Sequence, residues 1–168
     1  MRWLLVLAAA CSVPPPAHPV VATALAQAEA SPDLDGAPIG HAAQPTIVIA
    51  FASWCEHCHD ELAILDHLRA SHRSLRILGL NYKGHEEYDH KGGPVEVRRF
   101  VAAHAPWLRV VPADDALFAA FGSPPKIPTL YVYDARGALV ETYDRSQRAQ
   151  PDEAELEALV TRLGRLGG

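Results

Sequence analysis

Thr46-Ile47-Val48-Ile49-Ala50-Phe51 is a continuous apolar, β-branched run, and just beyond it Cys55-Glu56-His57-Cys58 opens a segment of helical periodicity. An unbroken run of this kind suits a strand buried on both faces of a sheet. After Cys55 the pattern changes: Leu62, Leu65 and Leu68, with Ile64 beside them, form a stripe with a period of about 3.6. Residues 75–80 read as a second buried strand. Strand, helix and strand make a βαβ unit, whose crossover is right-handed. The cysteine pair therefore falls at a helix N-terminus, where unpaired N–H groups and the positive end of the helix dipole stabilise a thiolate. A second cysteine one turn further on can resolve a mixed disulfide. Thiol–disulfide exchange is the chemistry this placement predicts.

The rest of the chain supports one domain. At 168 residues, 49% of them hydrophobic, it can bury one well-packed core and not two. Residues 82–93 are polar and contain glycines, which predicts a loop. Residues 94–104 can form a helix with Pro94 in its first turn and Val97, Phe100 and Val101 facing inward. A short strand is expected over 108–111, and Asp114 should cap a short helix carrying Leu117, Phe118 and Phe121. Residues 129–133 and 138–143 read as two strands joined by the turn Asp134-Ala135-Arg136-Gly137. A last helix starts near Pro151, acidic at its beginning and basic at its end, with Leu156, Leu159, Val160 and Leu163 on its apolar face.

The net charge of −5, with no basic stripe, gives nucleic-acid binding no support. Of three cysteines, Cys55 and Cys58 pair naturally and Cys11 is left over, so the pair is chemical rather than one staple among several. Residues 1–26 read as a targeting leader: Arg2, an apolar stretch, and then two competing processing sites. Ala8-Ala9-Ala10-Cys11 suits a lipoprotein signal that would anchor the protein through Cys11, whereas Ala24-Leu25-Ala26 is an A-x-A cleavage site. Either way the protein is expected to be exported to the periplasm, with or without a membrane anchor. Residues 27–45 read as a linker with an edge segment, and 46–166 as the folded domain.

The order β-α-β, an intervening helix, then β-β-α resembles the thioredoxin-like fold. Phe51-Ala52-Ser53-Trp54-Cys55-x-x-Cys58 resembles the active-site strand and turn of the exported TlpA/ResA-type thioredoxin-like proteins. Lys126-Ile127-Pro128-Thr129 is similar to their cis-proline loop, Leu80-Asn81-Tyr82-Lys83 to a segment of their cytochrome-maturation branch, and Asp134-x-x-Gly137 to their final hairpin. The resemblance implies an α/β fold: a central mixed β-sheet flanked by helices, with an extra segment between the βαβ unit and the C-terminal ββα unit. It also implies a protein-disulfide reductase that needs no cofactor. Its clients would be exported proteins such as apocytochrome c or copper-site assembly proteins, and a membrane electron donor would re-reduce it.

Within that frame Cys55 is the expected nucleophile and Cys58 the resolving thiol, cycling through a Cys55–Cys58 disulfide. Glu56 and His57 should tune the couple in opposite directions, since an anion beside the thiolate disfavours it and a hydrogen-bond donor or cation favours it. Trp54 would flank the exposed sulfur. The Ile127-Pro128 bond is expected to be cis and to face the cysteines. Plain thioredoxin has a buried Asp six positions before the first cysteine; here Ile49 stands there. Glu61, one turn after Cys58, is the expected substitute proton acceptor, with Asp60 as its rival.

Three other readings start from the same residues. His57 suits a disulfide-introducing oxidase. His85 and His90, in the polar 84–90 segment, suit a metal-binding chaperone, although no second Cys-x-x-Cys completes a zinc site. A thioredoxin-like module that merely binds a partner would not need its cysteines.

Overall fold

A computed structural model describes residues 19–166. Residues 1–18, with the expected lipidation site Cys11, lie outside the described residues. Five strands, β1 (Thr46–Ala50), β2 (Arg76–Tyr82), β3 (Arg109–Ala113), β4 (Thr129–Tyr133) and β5 (Leu139–Asp144), form one sheet in the order β3-β2-β1-β4-β5. The first three are parallel; β4 runs antiparallel to β1, and β5 antiparallel to β4. The helices are α1 (Pro19–Ala30), α2 (Glu56–Ser71), α3 (Lys83–Glu86), α4 (Pro94–His104), α5 (Asp115–Ala120) and α6 (Glu153–Leu166). This is the mixed, helix-flanked sheet that the thioredoxin-like resemblance implies.

Strand β1 lies at the centre, and every residue in it is buried. Its side chains alternate, as the pleat requires. Ile47 and Ile49 join Leu62, Leu65, Phe100, Leu156 and Leu159 in the cluster beneath α2, α4 and α6. Val48 and Ala50 join Leu78, Leu80, Leu117 and Tyr131 on the opposite face. Phe51, just past the strand, needs room over β2. Gly79 supplies it, since a Cβ there would lie 2.8 Å from the Phe51 ring and 3.0 Å from Val110. Pro112 is tolerated in β3 because that strand is an edge of the sheet.

Two segments differ from the sequence reading. Residues 27–30 are the end of α1, and the rest of the expected linker is fastened to the domain. Leu34 N–H donates to Val110 O at 3.0 Å, and Arg109 pairs with Asp33 at 2.6 Å. Glu29, in α1, meets Arg76 of β2 and lies 2.9 Å from His41. Burial works against its charge, but hydrogen bonds to His41 and Arg76 outweigh it and hold the carboxyl below the ordinary range. Ala24, Leu25 and Ala28 are buried in the second cluster, so α1 and α5 together cover that face. An alanine-rich stretch reads equally well as a leader or as a helix with a small-residue packing face, and the buried Ala24 and Ala28 give α1 such a face.

The second difference is the expected loop over 82–93, which contains α3 and a single 3₁₀ turn at Tyr88–His90. Its polar sequence hides a buried anchor, Glu86, only 2% exposed. Among the described residues no helix is long and apolar enough to cross a membrane.

Leu25→Ala should cost about 2–5 kcal/mol, as for other buried leucines. Urea denaturation monitored by circular dichroism measures it; an unchanged midpoint would mean that α1 does not contribute to the core.

Candidate functional site

Cys55 is the N-cap of α2, in extended conformation (φ −87°, ψ 101°). Its sulfur accepts the Cys58 backbone N–H at 3.2 Å, a donor of the first turn shared with the Cys55 carbonyl at 2.9 Å. The two cysteines form a disulfide with Cα atoms 5.2 Å apart. Cys55 keeps 6% of its surface accessible and Cys58 none, so solvent reaches only the first cysteine. Glu56 and His57 are exposed between them.

The turn that delivers Cys55 is held from below by Glu86. Its carboxylate accepts the Ser53 N–H at 2.8 Å, the Ser53 hydroxyl, and the Asn81 side-chain amide at 2.8 Å. Asn81, at the end of β2, also donates to Phe51 O at 3.3 Å. The carbonyls of His85 and Glu86 in turn accept the Trp54 indole N–H at 3.1 and 2.9 Å. Residues 51–54 are thus tied to a single buried carboxylate and the short helix that presents it. A side chain at Gly92 would collide with the same carboxylate. Glu86 and Asn81 do not figure among the site residues expected from sequence; nothing in a polar, glycine-containing stretch marks one glutamate as buried.

Glu61 is 4% exposed, whereas Asp60 beside it is exposed. No described residue hydrogen-bonds Glu61 Oε1, and burial pushes the carboxyl up to about 7. Ile49 is fully buried in the cluster that holds Cys58, so the acid of plain thioredoxin has no counterpart there. The Ile127-Pro128 bond is cis. Ile127 lines an open groove of about 750 Å³ together with Cys55, Trp54, Glu56 and His57, while Pro128 and Glu61 line an adjacent hollow of about 790 Å³. His57 and Arg145 border both.

The far wall of the groove is aromatic. Trp54 and Tyr88 lie 6.2 Å apart between centroids, with the Lys91 ammonium 4.8 Å from the Trp54 ring. His85 turns its ring edgewise to Tyr82 and Phe118, and burial lowers its pKa. His90 is exposed. Among the described residues no three His, Cys, Asp or Glu side chains are placed to share a metal ion.

No protein-family profile and no curated protein sequence matches the chain. Solved structures do match its fold, which is thioredoxin-like. A secreted Mycobacterium tuberculosis disulfide oxidoreductase homologous to E. coli DsbE is 19% identical with a TM-score of 0.63, over 79% of this chain and 93% of that one. A thiol:disulfide interchange protein of the thioredoxin family from Chlorobium tepidum is 20% identical with a TM-score of 0.64, over 79% and 90%. StoA from Bacillus subtilis is 19% identical with a TM-score of 0.58, over 76% and 92%.

Glu86→Gln keeps the shape but turns one acceptor into a donor facing Ser53 or Asn81. It should cost about 1–3 kcal/mol, read by urea denaturation, with Trp54 emission shifting as its tether loosens. A variant as stable as wild type with unchanged emission would contradict the anchoring role.

Proposed function

We propose that this protein is a thiol–disulfide oxidoreductase that reduces disulfides in exported client proteins. The observation that carries the reading is Cys55 at the N-cap of α2, bonded to Cys58 and opening onto a groove bordered by Ile127. In the reduced protein the Cys55 thiolate attacks a client disulfide, and one client sulfur leaves as thiolate. Cys58 then attacks Cys55 Sγ and releases the reduced client, closing the Cys55–Cys58 disulfide. Pro128, beside the site, shapes its client-facing edge.

Glu61 is the proton acceptor for Cys58 in this scheme. A carboxyl with a pKa of about 7 takes up and returns a proton near neutral pH at little cost, which a fully ionised surface glutamate does not. Trp54, Glu56 and His57 flank the exposed sulfur and set its reactivity and docking. The reductive direction follows the resemblance to TlpA/ResA-type proteins, as do apocytochrome c or copper-site assembly proteins as clients and a membrane carrier as electron donor. Export follows from the leader. Processing at Cys11 would keep α1 whole, whereas cleavage after Ala26 would remove Ala24 and Leu25 from the core.

Insulin reduction should be lost in Cys55→Ser, and Cys58→Ser should accumulate the mixed disulfide, detected by non-reducing electrophoresis. Equal activity of Cys55→Ser and wild type would sink the proposal. A reduction potential near that of thioredoxin, about −270 mV, fits a reductase; one near about −120 mV would instead make the protein an oxidase.

Glu61 also predicts a pH dependence. Its folded-state pKa of about 7 lies above the ordinary value of 4.5, so between these values the folded protein binds more protons than the unfolded chain. Stability of the oxidised protein should therefore fall as pH rises from about 4.5 to about 7 and level off above. In Glu61→Gln this slope should shrink by up to about one proton, measured by denaturation at stepped pH. An identical slope in both proteins would remove the raised pKa.

A further inference from the structure

The groove beside Cys55 gathers three positive charges around one carboxylate. The chain as a whole is acidic, with a net charge of −5. Yet Lys91, Lys126 and Arg145 all border this groove, and Glu56 is its one carboxylate. The cations nearest the sheet are neutralised, Arg76 by Glu29 and Arg109 by Asp33, and Arg148 meets both Glu141 and Glu155. None of the three groove cations has a carboxylate within ion-pair distance among the described residues. Lys91 instead stands over the Trp54 and Tyr88 rings, 4.8 and 5.6 Å from their centroids. The Trp54 ring is tethered, because its N–H donates to the carbonyls of His85 and Glu86. The groove is therefore a preorganised aromatic wall ringed by unpaired positive charge, next to the sulfur a client must approach.

We propose that this groove selects clients whose disulfide-bearing strand carries Asp or Glu beside the disulfide. The proposal rests on the exchange chemistry above and adds a substrate class to it. An acidic strand would neutralise charges that have no internal partner, while a basic strand would meet three like charges. Such complementarity acts mainly on encounter, so it weakens with salt. The reaction itself is balanced by the two partners alone. The protein dithiol loses two electrons and becomes the Cys55–Cys58 disulfide, and the client disulfide gains them and leaves as a dithiol.

The test is single-turnover reduction by the full chain, first reduced and then freed of reductant. The substrates are two synthetic peptides, each with one intramolecular disulfide, flanked in one by Asp and Glu and in the other by Lys. The acidic peptide should react about tenfold faster at low ionic strength, with the ratio falling toward one as sodium chloride is added. Lys126→Glu/Arg145→Glu should abolish or invert the preference. Arg73→Glu/Arg99→Glu, with the same change in net charge on exposed positions away from the groove, should retain it. Equal rates for the two peptides with wild type at low salt would overturn the proposal. So would equal slowing of both by Lys126→Glu/Arg145→Glu, which would make the cations stabilisers of the Cys55 thiolate and nothing more. If neither peptide reacts faster with wild type than with Cys55→Ser, the exchange chemistry itself fails, a result distinct from the loss of selectivity.

Discussion

One buried carboxylate organises the reactive end of this protein. Glu86 takes donors from Ser53, two residues before Cys55, and from Asn81 at the end of β2. A carboxylate buried this deeply is tolerable only when its oxygens are satisfied, and here three donors converge on it. The strand-to-helix turn is consequently fixed from below, and the Trp54 indole is fixed beside it by the carbonyls of α3. Placement of the Cys55 sulfur at the helix start depends on that turn, because a cap residue works only if the chain enters the helix at the right angle.

The chemistry proposed for the pair divides between two environments. Around Cys55 the groove is open and bordered by charged as well as aromatic side chains, and the Cys58 N–H points at its sulfur. Around Cys58 the surroundings are apolar, and Ile49 leaves no acid behind the disulfide. Glu61 supplies a carboxyl from the same helix, and its raised pKa has a plain cause, burial without a described hydrogen-bond partner for one oxygen. A group buried neutral and ionisable near pH 7 is costly to the fold and useful to proton transfer.

Much of the arrangement is legible in the sequence because it is periodic or local. The β-branched run at 46–51 and the leucine stripe of α2 reflect one element each, and their spacing survives into the structure unchanged. Asp114 was readable as a cap for the same reason, and it accepts the Leu117 N–H at 2.8 Å. The two misread segments are tertiary. Nothing local distinguishes Glu86 from Glu87, yet one is buried and the other exposed. Likewise the small residues of α1 make sense only against Leu117 and Tyr131, roughly a hundred residues away in the chain. Lys91, Lys126 and Arg145 are equally scattered in sequence, and only the fold brings them around one groove.

The position of α1 also bears on the order in which the protein can assemble. It is the earliest described element to be synthesised, but the surface it covers includes α5 and the buried tyrosines of β4. That surface does not exist until the chain has been made as far as Tyr133. The contact is therefore among the most non-local in the molecule, and loop-closure entropy delays contacts of that kind. The first described helix to emerge is among the last able to dock, and until it does one face of the sheet is covered by α5 alone, an invitation to chaperones and to other unfinished chains.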